Sequence, residues 1–418
     1  MNIPLKRRRG GRAAAAALAL ILLTTPALAQ SATTPAGTAS ATRGGAPKNL
    51  LTNPGFEKPL ANHAWMPADW DTFASGLPTV FFGRDTFLVR SGRYAVNVAN
   101  LSTYVPMFHN WSQTLLVGKE LWGKDVVFSI WTRSNGLQGR AYVLVQAYRD
   151  TIGKMSRIWK VSRDEARERM HILKTDDPLV SLGWDREYFS ENETDWVKRE
   201  VRIFVPTGTN TVVCRGGLFG VGQVVFDDAS LTAVPTRSWP EPPLHTNLLE
   251  DPGFEEEGNG WEYSLPPYEG LRVERDTTVA HSGKASIHMQ GGLEGPLPIR
   301  TGVCQVLSNP KLSGKRVRLS SWIKTDSLMT EAFIKIYCTT LEGDVHLPSP
   351  SQVAGTQDWT NSVTEVDVPP GTIMLWAWFQ YGAPAMGHLY IDDCSLEVIG
   401  PAEYITKGTP PPRPNMFR

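Results

Sequence analysis

An excess of charge of either sign is missing from this chain. Its 42 basic and 42 acidic residues cancel, leaving a formal net charge of zero over 418 residues. No basic excess exists to neutralise phosphates, which argues against nucleic acid or an anionic membrane as the main partner and favours a neutral one. Cysteine is scarce. Cys214 stands alone in the first half, and Cys304, Cys338 and Cys394 share the second, so neither half holds an even set. The spacing gives no Cys-x-x-Cys or Cys/His zinc pattern, and Cys394, alternating with Leu396, reads as a small buried hydrophobe. Beyond the first thirty residues no apolar run approaches the ~20 residues of a membrane span. Also missing are a Gly-x-Ser-x-Gly elbow, a His-Glu-x-x-His helix and a glycine-rich phosphate loop, and the eight histidines are scattered without ligand spacing.

What is abundant is tryptophan, with fourteen residues, and repetition. Asn49-Leu-Leu-Thr-Asn-Pro-Gly-Phe-Glu57 returns as Asn247-Leu-Leu-Glu-Asp-Pro-Gly-Phe-Glu255. The echo continues in order: Ser91-Gly-Arg with Ser282-Gly-Lys, Gln113 with Gln305, and Phe128-Ser-Ile-Trp131 with Leu319-Ser-Ser-Trp322. Val205-Pro-Thr-Gly-Thr209 then matches Val368-Pro-Pro-Gly-Thr372, and Phe226-Asp-Asp-Ala-Ser-Leu231 matches Ile391-Asp-Asp-Cys-Ser-Leu396. Two copies of one domain therefore make up most of the chain. Their short β-branched and aromatic runs, bounded by Gly, Pro, Asn and Asp, predict an all-β chain of two tandem antiparallel sandwiches. The one predicted helix, Ser162 to Leu173 with a Ser162/Glu165 capping box, falls in an insertion of about 150–195 that the second copy lacks.

Around the copies, Lys6 to Arg9, the apolar run Ala13–Leu23 and the small residues Ala27-Leu-Ala29 read as a secretory signal peptide over residues 1–29, cleaved after Ala29. The chain is expected to be secreted or periplasmic, with no membrane insertion. A flexible leader follows over 30–48, the first module over 49–234, a Pro-rich connector over 235–246, the second module over 247–400 and a Pro-rich tail over 401–418.

The ordered set of motifs (Asn-Leu-Leu-x-Asn-Pro-Gly-Phe-Glu, Ser-Gly-Lys/Arg, the Gln strand, Ser-x-Trp, Pro-Gly-Thr and the closing Asp-Asp-x-Ser-Leu) resembles the cellulose- and xylan-binding type of carbohydrate-binding module. That resemblance covers both copies. It implies a galactose-binding-like jelly roll, a polysaccharide or glycan as partner, and a structural calcium in each module. Calcium takes hard oxygens. A Glu just after the Pro-Gly turn and an Asp on the closing strand are the acids common to both copies, which nominates Glu57 with Asp227 and Glu255 with Asp392. Alternation puts Asp227 inward, in step with Ala229 and Leu231, and Asp228 and Asp393 toward solvent. The alternative is that these acids only cap turns or pair with nearby bases.

Sugar sites combine aromatic rings with a few polar groups. Trp376, Trp378 and Gln380 alternate onto one face of a strand and are the candidate ligand-binding residues; packing of both rings in the core is the competing reading. The first copy has Val213, Arg215 and Gly217 there, so a site in it would need Trp65, Trp70, Trp111, Trp159 or Trp184. Trp131 and Trp322, recurring in both copies, read as core. No catalytic residues are assigned. The leading expectation is a secreted, non-catalytic polysaccharide-binding protein. Alternatives are an adhesive surface protein without a sugar site, and a polysaccharide-degrading enzyme using the acids of the insertion (Asp164, Glu165, Asp176, Asp177, Asp185, Glu187).

Overall fold

A computed structural model describes residues 48–73, 79–101, 108–172, 179–256, 260–263, 271–292, 301–348 and 352–413. The predicted signal peptide and most of the leader lie outside these residues, as do Asp176 and Asp177. The first copy comprises β1 (Pro59–Leu60), β2 (His63–Pro67), β3 (Asp71–Phe73), β4 (Val80–Asp85), β5 (Ala95–Asn100), β6 (Phe108–Leu116), β7 (Asp125–Arg149), β8 (Val180–Phe189), β9 (Val197–Phe204) and β10 (Thr211–Val234), with α1 (Thr151–Trp159) and α2 (Arg163–Arg169) between β7 and β8. The second comprises β11 (Glu262–Tyr263), β12 (Leu271–Asp276), β13 (Ser286–Gly291), β14 (Thr301–Leu307), β15 (Lys315–Thr340), β16 (Gly343–His346), β17 (Gln352–Asp367), β18 (Thr372–Tyr381) and β19 (Gly387–Pro401), followed by α3 (Glu403–Thr406).

Each copy is a two-layer antiparallel sandwich whose long strands pass from one layer into the other. The first half of β7 pairs with β9 and with the end of β10; its second half pairs with β8 and the start of β10. Where the strands cross between layers, Gly136, Gly139, Gly220 and Gly222 all have positive φ, the backbone a sharp bend requires. One layer of the first module thus runs β3-β6-β10-β7-β8 and the other β4-β5-β10-β7-β9. The second module repeats this as β11-β14-β18-β15-β16 and β12-β13-β19-β15-β17. Inward residues such as Phe128, Ile130, Val145 and Phe226 fill one core, and Leu319, Ile334, Leu375 and Phe379 fill the other.

The repeated residues are those that tie each chain start to its closing strand. The Asn49 carboxamide accepts from Leu51 and Leu231 N–H and donates to the Ala229 carbonyl; Asn247 does the same with Leu249, Leu396 and Cys394. Gln113 and Gln305 each clasp the backbone of the opening segment, at Thr52 and Glu250. These bonds satisfy backbone groups that lie outside any ladder.

Four features depart from the sequence reading. Trp131 and Trp322 are half-exposed on the outer face and not in the core. Their neighbours Ile130 and Ile323 point inward, so alternation sends the indoles out. The Arg90 guanidinium lies 3.7 Å above the Trp131 ring, and the His281 imidazole stacks on Trp322 at 4.0 Å. Helix α1 was not legible as a helix; Asp150 caps it by accepting from Gly153 N–H, and Ile152 buries its inner face. The tail carries α3, whose Tyr404 hydroxyl donates to the Val368 carbonyl. The connector is docked: Arg237 pairs with the buried Asp125 at 3.0 Å, and Lys315 with Glu241 at 2.5 Å. The capped helix at Ser162 is present as α2, with Ser162 accepting from Glu165 N–H. All four cysteines are buried and free.

His109 is fully buried and neither ring nitrogen has a partner among the described residues; burial holds its pKa below the ordinary value. A base whose folded pKa is depressed contributes stability above its unfolded pKa, near 6.5, and that stability is lost as pH falls. The denaturant midpoint should therefore drop between pH 7 and pH 5, and less steeply in His109→Leu. Equal slopes for the two proteins would refute the assignment.

Candidate functional site

On β18 the residues alternate as the sequence predicts. Leu375, Ala377 and Phe379 are buried in the core, whereas Trp376, Trp378 and Gln380 stand half-exposed on the opposite face. β18 and β15 lie in register with Trp376 opposite Tyr337 and Trp378 opposite Lys335, so these side chains share that face. The two indoles are parallel to within 5°, with centroids 5.9 Å apart, and the Tyr337 ring meets Trp376 edge-on at 5.7 Å. β16 adds Asp344 and His346 at the rim; the His346 Nδ1 lies 2.9 Å from Lys335 Nζ. Burial and then the Lys335 charge hold His346 below its ordinary pKa, favouring the neutral ring.

This groove is not the property of the second module alone. Trp184 of β8 reaches it and sets its ring 5.0 Å from Trp376, and Gln146 and Ser181 of the first module line the same wall. About 820 Å³ lies within the groove, open to solvent. Half-buried Arg186 and Glu262 pair across the modules beside it. A two-module groove was beyond the sequence reading. The one sequence signal for it is Trp184, an aromatic residue of the insertion with no counterpart in the second copy.

The corresponding face of the first module is different. Val213 is buried, Arg215 donates to Gln146 Oε1 at 3.0 Å, and a side chain on Gly217 would collide with the Tyr142 ring. Helix α1 lies over this face. Of the other tryptophans proposed for a first-module site, Trp70 and Trp111 are core residues and donate their indole N–H to the carbonyls of Asn53 and Asn97. Trp65 is exposed and Trp159 is half-buried on α1.

The acid pairs sit where the opening turn meets the closing strand. Asp227 and Asp392 are fully buried, as alternation predicts. Asp227 Oδ2 accepts from Arg90 and Ser91 N–H and its Oδ1 from Asp228 N–H; Asp392 is bound alike by His281, Ser282 and Asp393. Exposed Glu57 accepts from Arg93 and Tyr94 N–H through Oε1, and Glu255 from Lys284 N–H. Both acids therefore grip one Ser-Gly loop. Gly92 and Gly283, with φ of 69° and 61°, are needed there, because a Cβ at either would run into the Glu carboxylate. In the second module a Cβ on Gly253 would lie 3.8 Å from both Glu255 Oε1 and Asp392 Oδ1, so the two carboxylates border one small space. Burial pushes the Asp227 carboxyl up to about 6 against its three N–H donors, and raises Asp392 likewise. Asp228 and Asp393 are not free in solvent. They pair with Arg90 and with His281 and accept from the Ser91 and Ser282 hydroxyls.

A hard cation fits this donor set. It is all oxygen, with Glu57 Oε2 and Glu255 Oε2 accepting no hydrogen bond from the described residues. Among the described residues no cluster of three acidic, His or Cys side chains occurs, so carbonyls and water would have to complete a shell.

The described acids of the insertion that the sequence offered as catalytic candidates are engaged. Asp164 pairs with Arg167, Glu165 with Arg169 and Glu187 with Arg199, while Asp185 accepts from Arg186 and Arg202 N–H.

No family profile matches the chain, and no curated protein does. Among solved structures the chain is similar to the N-terminal CBM22-1–CBM22-2 tandem domain of Paenibacillus barcinonensis Xyn10C. The identity is 13%, the match covers 86% of this chain and 100% of that one, and the TM-score is 0.30. It is also similar to the C-terminal family 22 carbohydrate-binding module of Clostridium thermocellum Xyn10B (15% identity, 39% and 99% covered, TM-score 0.30). A third likeness is to TmCBM61 in complex with β-1,4-galactotriose (17% identity, 45% and 99% covered, TM-score 0.28). At these scores the likenesses carry no weight beside the geometry above.

Proposed function

We propose that this protein is a non-catalytic, exported polysaccharide-binding protein of two tandem modules, with a sugar chain lying in the groove over Trp376 and Trp378. The observation that carries this reading is the pair of parallel indoles left open on β18 while their opposite-parity neighbours complete the core. Sugar C–H faces stack on such rings, and Gln380, Asp344 and the first module's Gln146 offer polar groups at the edges. A non-catalytic role is supported by the ion pairs of Asp164, Glu165 and Glu187 and the backbone N–H groups bound by Asp185, which engage the candidate acids that are described. A binding panel of insoluble and soluble polysaccharides, run beside a reducing-end assay, tests both halves. Failure of the full chain to bind any of them would sink the first half, and release of new reducing ends the second.

The modules are further proposed to fold separately, because each has its own two layers and a core drawn from its own strands, Ile373 of β18 being the one buried residue of the second module in the first module's core. Cutting within the connector should give two β-rich fragments. Since Trp184 closes the groove from the other module, the isolated second module should bind about tenfold more weakly than the full chain, and Trp184→Ala in the full chain should mimic that loss. Unchanged affinity in both would mean that the first module does not complete the site.

A further inference from the structure

Where the second module presents two indoles, the first presents cations. Between α1 and its β10-β7 face lies a hollow of about 750 Å³, open to solvent, bordered by Arg157, Arg163 and Arg215, with Asp150 as its one acid among the described residues. Asp150 is already committed: it pairs with Arg163 at 2.7 Å and accepts from Gly153 N–H at 2.8 Å. A Cβ at Gly153 would meet both the Asp150 carboxylate and the Arg163 guanidinium, so any larger residue there would displace this pair. Arg157, in the last turn of α1, is exposed and makes no hydrogen bond or ion pair with the described residues. Asp69 and Asp71 lie in the hollow on its other side without pairing to it. Arg215 spends one donor on Gln146 Oε1, and its remaining N–H groups have no acceptor among the described residues. Two guanidiniums without an ion-pair partner among the described residues therefore border one concavity.

Gln146 also lines the aromatic groove, so the two hollows abut at the Arg215–Gln146 pair. A chain held over the tryptophans and running past Gln146 would bring its next substituents to the arginines. Guanidinium is planar, always charged and matched to a carboxylate or sulfate by two parallel bonds. A neutral sugar gives it nothing comparable.

We propose that the hollow between α1 and the first module's sheet takes the anionic group, a carboxylate or a sulfate ester, of an acidic sugar on the bound glycan; this rests on the glycan-binding reading above. The site makes the protein selective for acidic polysaccharides.

The test uses the full chain and three monosaccharide probes followed by NMR titration: methyl glucoside, methyl glucuronide and the 6-sulfate of methyl glucoside. At low salt at least one acidic probe should bind about tenfold more tightly than methyl glucoside, and the preference should shrink as salt rises. Whichever acidic probe wins identifies the anion. Arg157→Gln and the double change Arg157→Gln/Arg215→Gln should reduce and then abolish the preference. Arg157 is exposed, so its single variant keeps the test valid if the double one fails to fold. Equal binding of all three probes, or a preference that survives loss of the arginines, overturns the proposal. Arginine-dependent binding of acidic probes in a protein that binds no polysaccharide would uphold the anion site and overturn the groove instead.

Discussion

Trp378→Ala should lose roughly 30-fold in polysaccharide affinity while melting close to the unaltered protein. Removing an indole from a sugar face gives up on the order of 2 kcal/mol of apolar burial, and 1.4 kcal/mol is a factor of ten in Kd. The stability loss should stay well below the ~3–5 kcal/mol of a core Trp→Ala change, because Trp378 is half-exposed and its parity is opposite to the core. Phe379→Ala, one residue along and fully buried, supplies the control: it should cost several kcal/mol and abolish binding only by unfolding. Trp376→Ala should fall between them, since that ring also packs against Trp184 and Tyr337. Affinity electrophoresis or calorimetry beside thermal melts separates the cases. If Trp378→Ala destabilises as much as Phe379→Ala with binding intact, the rings are packing and the groove is not the site.

What the sequence revealed depended on whether a residue's role was local or relational. Strand alternation is local, so the inward Asp227 and Asp392 and the outward Trp376 and Trp378 could be read from parity. The repeat was legible because the same task recurs in each copy: Asn49, Gln113 and Glu57 and their counterparts hold one segment in place by the same hydrogen bonds. Trp131 and Trp322 misled for the same reason. Recurrence suggests core, whereas what recurs is a shelf for the Arg90 or His281 side chain, which in turn holds Asp228 or Asp393. Parity alone would have placed them correctly, since Ile130 and Ile323 beside them face inward. Helix α1 escaped because its apolar face is short, with Ile152 as its one fully buried side chain of size. The composite groove could not be read at all. It depends on β8 of one module meeting β18 of the other, and nothing in strand periodicity encodes which two faces of a tandem pair will meet.

Calcium at millimolar concentration should raise the melting temperature of each module by about 5–10 °C over the chelated protein. For a site with a Kd near one-hundredth of the free calcium, binding to the native state alone adds about 2.7 kcal/mol, and 1 kcal/mol moves the midpoint of a domain of this size by ~2–4 °C. The case for a cation is that Glu57 and Asp227, and Glu255 and Asp392, converge on one turn with oxygen lone pairs to spare. The case against is that N–H donors from the Ser-Gly loop already compensate each buried Asp. Substituting the aspartates would not decide between these, because Asn at either position loses N–H bonds whether or not a metal binds. The exposed glutamates decide it. Gln in place of Glu57 or Glu255 still accepts the loop N–H groups through its carbonyl oxygen, so chelated melts should change little. Without the charge, however, the calcium-dependent shift of that module should largely vanish while the other module keeps its own. Superimposed melts with calcium and with chelator, or a shift that survives both Glu→Gln changes, would leave these acids as clamps on the Ser-Gly loop and nothing more.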